Sequence, residues 1–161
     1  MPTVEIAVES SVPDNTAFTV LTALRELGYG DLERVERSTV YALKLAGRSM
    51  PAAECAQALK RAEVVFNPNI QRLAYVSGSN AGDPEAVVSD KEDQTESLCT
   101  LLVDRFGVRG LERVERATAW RLYDRAGPAN AKRLDWACEI LLANPYSQTY
   151  LVRNRPHYTY L

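Results

Sequence analysis

The hexapeptide LERVER at residues 32–37 returns unchanged at residues 111–116, 79 positions later in a chain of 161 residues. Chance does not explain an identical six-residue string at half the chain length, so the sequence reads as two tandem units. The surroundings keep the offset: Gly28 meets Gly107, Thr39 meets Thr118, Tyr41 meets Trp120 and Leu43 meets Leu122. Asn67-Pro68 returns as Asn144-Pro145 at an offset of 77, which Gln71 and Gln148 share, so two residues are lost between these landmarks.

Each unit is expected to run strand, helix, long strand, helix, strand. Val4, Ile6 and Val8 alternate with Glu5, Ala7 and Glu9, the period of a strand with one buried face. Ala17, Val20, Leu21, Leu24 and Leu27 make a helical stripe that Gly28 closes, and Cys99, Leu102, Val103 and Phe106 repeat it before Gly107. LERVER follows directly and runs into residues of one parity (Val35, Thr39, Tyr41, Leu43, Leu45), which favours an extended strand over a solvated helical turn. The next helix is expected from Ser49-Met50-Pro51, with Cys55, Leu59, Ala62 and Phe66 inward. Its counterpart is expected from Pro128, with Leu134, Ala137 and Leu141 inward. Both are read as ending in Asn-Pro, the asparagine in a left-handed closing position. The expected units are residues 1–76 and 86–152, separated by the glycine-rich linker SGSNAGDPE at 77–85 and followed by a tail at 153–161. EAVVSD at 85–90 is a poor counterpart of VEIAVE, which leaves open whether the second unit keeps its first strand.

The residue inventory argues against chemistry of the chain's own. The only histidine, His157, stands near the end, so a Ser-His-Asp triad or histidine metal site is not expected. Glu33 and Glu36, like Glu112 and Glu115, are an odd number apart and face opposite sides of a strand, so they read as solvated charges or cross-strand partners of arginine, with a recognition surface as the alternative. Gly28-Tyr29-Gly30 is too short for a phosphate loop. Cys55, Cys99 and Cys138 form no CxxC pair and read as core residues. A formal charge of -2 attracts neither nucleic acid nor an anionic membrane. The tail RNRPHYTYL is read as a docking arm or frayed end. No apolar run reaches the roughly 18 residues of a membrane span, and MPTVEIAVESS lacks a signal-peptide pattern, so a cytoplasmic protein is expected. No cofactor, metal or catalytic residue is expected.

CEILLANPYSQTYLV at 138–152 resembles the closing signature of PurS, the small subunit of phosphoribosylformylglycinamidine synthase (formylglycinamide ribonucleotide amidotransferase). RAEVVFNPNIQRLAYV at 61–76 is the first unit's version, and LRELGYGDLERVERSTVYALKL at 24–45 is similar to the family's run from first helix to long strand. The resemblance implies an α+β fold related to the ferredoxin-like plait; the family chain is normally a single unit that self-associates, so the two tandem β-α-β-α-β repeats read here are expected to replace that homodimer by a covalent pseudo-dimer. It also implies a non-catalytic role in purine biosynthesis. PurL would carry the ATP-dependent amidation, PurQ would release ammonia from glutamine, and this chain would help them assemble and transfer ammonia. Further self-association is compatible with it. Arg34, Arg37, Arg113 and Arg116 are the expected partner contacts, while Gly28, Gly107, Asn67, Pro68, Asn144 and Pro145 shape the turns. The rival expectation is a stand-alone regulatory module binding a small metabolite between two ferredoxin-like repeats. A small enzyme whose groups converge only in space is a third.

Overall fold

In the computed structural model of the chain, residues 3–47, 50–92 and 94–161 are described. They form β1 (Thr3–Ser10), α1 (Asn15–Glu26), β2 (Leu32–Leu45), α2 (Ala52–Lys60), β3 (Gln71–Val76), β4 (Pro84–Asp90), α3 (Glu96–Phe106), β5 (Leu111–Asp124), β6 (Gly127–Pro128), α4 (Ala131–Ala137), β7 (Gln148–Asn154) and β8 (Tyr158–Tyr160). A π-helical turn, Cys138–Leu142, extends α4. The fold is α+β, an open antiparallel sheet of eight strands with four helices, compatible with a ferredoxin-like plait. The strands are ordered β7-β4-β5-β2-β1-β3-β8, with β6 paired to β5. No helix among the described residues is long and apolar enough to cross a membrane.

The long strands β2 and β5 join the halves. Thr39 stands directly opposite Thr118, the residue that the 79-position offset equates with it. β1 pairs only with Ser38 to Lys44 of β2, so the first six residues of β2 project about 20 Å beyond it. The twelve residues of α1, about 18 Å of helix, cover that distance and carry α1 over the second half. There Ala17 and Leu24 pack with Ala86, Val88, Trp120, Leu122, Leu134 and Cys138. Tyr29 anchors the crossing, its hydroxyl donating to Asp124 at 2.5 Å. α3 does the converse: its Leu102 lies in the cluster of Ile6, Leu43, Cys55 and Leu59, with Val108, Leu111 and Val114. Each core is therefore built from both halves.

The sheet also curls. Flat, its edge strands β7 and β8 would lie six inter-strand steps apart, roughly 29 Å. The connection from Asn154 to Tyr158 reaches at most about 14 Å. The tail is thus part of the fold rather than a frayed end: Arg153 and Asn154 complete β7, and β8 pairs with β3. The stretch read as a flexible linker is an ordered strap. The Ser77 amide donates to the His157 carbonyl (2.9 Å), His157 to Ser79 (3.1 Å), Gly82 to Arg155 (2.9 Å) and Arg155 to Asp83 (2.9 Å). A Cβ at Gly82 would stand 2.8 Å from the Arg155 carbonyl oxygen, so the close approach requires glycine.

Several local expectations change. β4 is a full strand that starts at Pro84, inside the expected linker. Both faces of β1 are covered, Ala7 and Glu9 being buried alongside Ile6 and Val8, because the sheet curls over its second face. Pro128 lies in β6, and Asn130 caps α4 by accepting from the Arg133 amide. Ser49, expected to cap α2, lies outside the described residues. Leu27 and Val103, expected inward, are exposed. Leu141 is 39% exposed, because the Ala143 amide bonds to the carbonyl of Cys138 five residues back and the wider turn brings Leu142 inward instead.

Candidate functional site

The turns before β3 and β7 are built alike. The Asn67 amide donates to Gln71 Oε1 (2.8 Å), the Asn67 side chain accepts from the Asn69 amide (3.0 Å), and the Gln71 amide returns to the Asn67 carbonyl (2.9 Å). Asn144 repeats the set with Gln148 Oε1 (2.8 Å), the Tyr146 amide (2.9 Å) and the Gln148 amide (2.8 Å). Asparagine thus works through its side chain, not in a left-handed conformation: among the described residues only glycines have positive φ. α2 itself ends earlier, at Lys60. Pro68 and Pro145 occupy the positions after the asparagines, where the missing amide is not needed. Tyr146 at the second tip is 91% exposed and Ile70 at the first is also exposed. Gly107 closes α3 at φ +67, and Gly28 follows α1 at φ +123.

The four candidate arginines occupy two separated stations on the β2–β5 ladder. Arg34 faces Tyr123 and Arg37 faces Trp120, while Arg116 faces Tyr41 and Arg113 faces Lys44. Ten ladder positions, roughly 33 Å, separate Arg34 from Arg113. The outer two make the same short-range pair, Arg34 with Glu36 at 3.3 Å and Arg113 with Glu115 at 3.5 Å, and both side chains are more than half exposed. The guanidinium of Arg34 also stacks on Tyr123, 4.2 Å from the ring centre.

Arg37 also holds the first turn of α1. Its Nε donates to Asp14 Oδ2 at 2.7 Å, and Asp14 caps α1 by accepting from the amides of Thr16 and Ala17. Burial pushes the Asp14 carboxyl up, but Arg37 and the two amides outweigh it and hold it below its ordinary value. Arg116 sits beside Tyr41, whose hydroxyl burial raises and Arg116 lowers, with burial dominant. Clefts of about 330 and 280 Å³ flank Thr39, the first lined by Val12, Asp14, Arg37 and Ile70, the second by Tyr41, Arg116, Thr118 and Gln148. Among the described residues no three histidine, cysteine or carboxylate side chains gather as a metal ion would require.

The sequence reading missed an ionic layer on the face opposite the helices. Glu85, 1% exposed, accepts from Arg121 Nη1 at 3.0 Å and from Arg153 Nε at 2.9 Å. Arg153 reaches on to Glu5 at 2.6 Å, and Arg121, 3% exposed, donates to Ser38 Oγ at 3.3 Å and approaches Glu36 at 3.8 Å. Glu9 accepts from Arg72 at 3.0 Å, from Arg155, and from the Tyr160 hydroxyl. Burial lowers Arg153, but Glu5 and Glu85 more than compensate and leave it above its ordinary value. Four carboxylates meet four guanidiniums, so the layer is neutral as a whole and clamps the tail across the curled sheet. One signal was available: β4 answers β1 at an offset of 80, so Glu85-Ala86-Val87-Val88 matches Glu5-Ile6-Ala7-Val8. Neither a scan against protein-family models nor a search of curated proteins finds a match to this chain.

Proposed function

We propose that this chain is a tandem-fused, PurS-type accessory subunit of phosphoribosylformylglycinamidine synthase. It bridges a PurL-type synthetase and a PurQ-type glutaminase and supports ammonia transfer between them in cytoplasmic purine biosynthesis. The observation that carries the reading is the Asn-Pro turn, which sits in the resembling signature and is formed twice with the same three hydrogen bonds. The Thr39–Thr118 register supports the further reading of two duplicated units held as a covalent pseudo-dimer. Two similar tips on one rigid sheet suit a bridge, since binding at one raises the effective concentration of the other.

The contacts assigned to partners are the exposed Arg34 and Arg113, with Arg37 and Arg116 behind them and the turn tips beside Tyr146 and Ile70. The test is glutamine-dependent amidation by the cognate synthetase and glutaminase with and without this protein, alongside size-exclusion of the mixture. Stimulation with a three-component peak is expected, and Arg34→Glu with Arg113→Glu should weaken both. Full activity without the chain and no co-elution would refute the reading. The alternative, a metabolite-binding regulatory module, rests on the two clefts that flank Thr39. It predicts instead a ligand-dependent rise in Tm of the isolated chain.

A further inference from the structure

The duplication sets two helix N-termini beside equivalent arginines, and only one of the pair is supplied with a carboxylate. In the first half Asp14 stands ahead of α1, its Oδ1 accepting from the Thr16 and Ala17 amides at 3.0 and 3.2 Å and its Oδ2 from Arg37 at 2.7 Å. Thr95 holds that place before α3: the Cys99 amide bonds to its carbonyl as the Phe18 amide bonds to that of Asp14. The Thr95 hydroxyl turns away and donates to the carbonyl of Val114, so among the described residues no side chain caps α3. The amides of Ser97 and Leu98, which answer Thr16 and Ala17, lack the acceptor that Asp14 provides. Arg116, which the 79-residue offset equates with Arg37, lies beside the Tyr41 hydroxyl and pairs with no carboxylate among the described residues.

A cleft of about 250 Å³ opens here, lined by Thr95, Arg116 and the end of β4. Most of its other charges are engaged. Lys91 donates to the Pro145 carbonyl at 3.1 Å, Asp90 accepts from Gln148 at 3.1 Å, and Arg113 lies 3.5 Å from Glu115, while Glu92 is exposed. We propose that this cleft is a carboxylate-binding site: Arg116 and the first-turn amides of α3 hold the carboxylate of a ligand as Arg37 and the first turn of α1 hold that of Asp14. The first half selects the chemistry, because it shows what a guanidinium and two helix amides in this arrangement accept. Both the guanidinium and the helix N-terminus favour negative charge there. An acidic side chain of a partner protein and a free organic acid carry the same group, and the test separates them. The inference does not rest on the proposed function, since the site is read on the isolated chain.

Amide NMR of the full chain titrated with sodium acetate is the test, with sodium chloride at equal ionic strength as the reference. The Ser97 and Leu98 amides should move and saturate with acetate alone, while those of Thr16 and Ala17, already bonded to Asp14, stay in place. Arg116 is exposed, so Arg116→Gln should fold normally and weaken the response about tenfold or more, the worth of one charge-assisted hydrogen bond. Thr95→Asp, which gives α3 the carboxylate that α1 has, should blunt the response from within. No saturable movement, equal movement with chloride, or a response indifferent to Arg116→Gln would each overturn the proposal. So would a response that appears only after Asp93→Asn, a residue outside the described ones, because the chain's own carboxylate would then hold the place. Size-exclusion with the synthetase and glutaminase subunits identifies the source. Loss of the complex with Arg116→Gln assigns the carboxylate to a partner's side chain, and an unchanged complex assigns it to a free acid. If no complex forms even with the wild type, the proposed function fails while the acetate response still decides the site.

Discussion

Replacing Glu85 by alanine probes the ionic layer at its most buried member. The change strands Arg121, which keeps only Ser38 at 3.3 Å and Glu36 at 3.8 Å in a setting where the residue is 3% exposed. Arg153 is cushioned by Glu5 at 2.6 Å, so most of the cost falls on Arg121. Breaking a buried pair from one side costs about 3–5 kcal/mol, because the remaining charge stays out of water without its partner. For a chain of this size that corresponds to a fall in Tm of roughly 6–20 °C. Urea unfolding followed by circular dichroism measures it, with Glu33→Ala on the exposed part of β2 as a control expected within about 0.5 kcal/mol of wild type. Replacing the pair together, Glu85→Leu with Arg121→Met, should recover much of the loss, since an apolar pair of similar volume needs no compensation. A Glu85→Ala protein within about 1 kcal/mol of wild type would refute the reasoning, because it would mean that Glu85 is hydrated and the sheet does not close over it.

Deleting residues 155–161 removes β8, uncovers Ala7 and Ala74, and takes away the buried Tyr158, so a loss of about 3–5 kcal/mol is expected in the same assay. Asn67→Ala and Asn144→Ala each remove one side-chain acceptor from a turn and should cost about 1 kcal/mol apiece, adding in the double variant because the two turns share no hydrogen-bond partner. Asp14 titrates below its ordinary value in the folded chain, so its contribution is complete above its unfolded pKa of 3.8 and disappears as pH falls through the lower folded value. Asp14→Asn should therefore flatten the acid limb of the stability curve below about pH 4. Cutting the chain within residues 78–83 should give fragments that are unfolded apart and fold when mixed, because each core draws on both halves. Two fragments that are each folded and indifferent to one another would contradict that.

What could be read from the sequence was what local periodicity and the 79-residue recurrence encode: the order of the helices and of the strands other than β4, β6 and β8, the parity of the long strands, and the inward positions of Cys55, Leu59, Leu134 and Ala137. What could not be read concerns partners at a distance. The stripe of Ala17 and Leu24 specifies a buried helix face and is silent on which half of the sheet it covers. That choice follows from the six residues by which β2 outruns β1, a length visible only once the strands are paired. Glu9 and Glu85 look like the polar positions of a half-buried strand, and nothing in strand alternation reveals that the sheet curls until Arg72, Arg121, Arg153 and Arg155 meet them. The tail misled for the same reason, since Arg153, Arg155, Tyr158 and Tyr160 read as a docking arm or frayed end only while their partners near residues 5–9 and 85 are unknown. Their density of charge and aromatic groups is explained by one requirement: the chain must bring its last residues back across a polar face and hold them there in place of water.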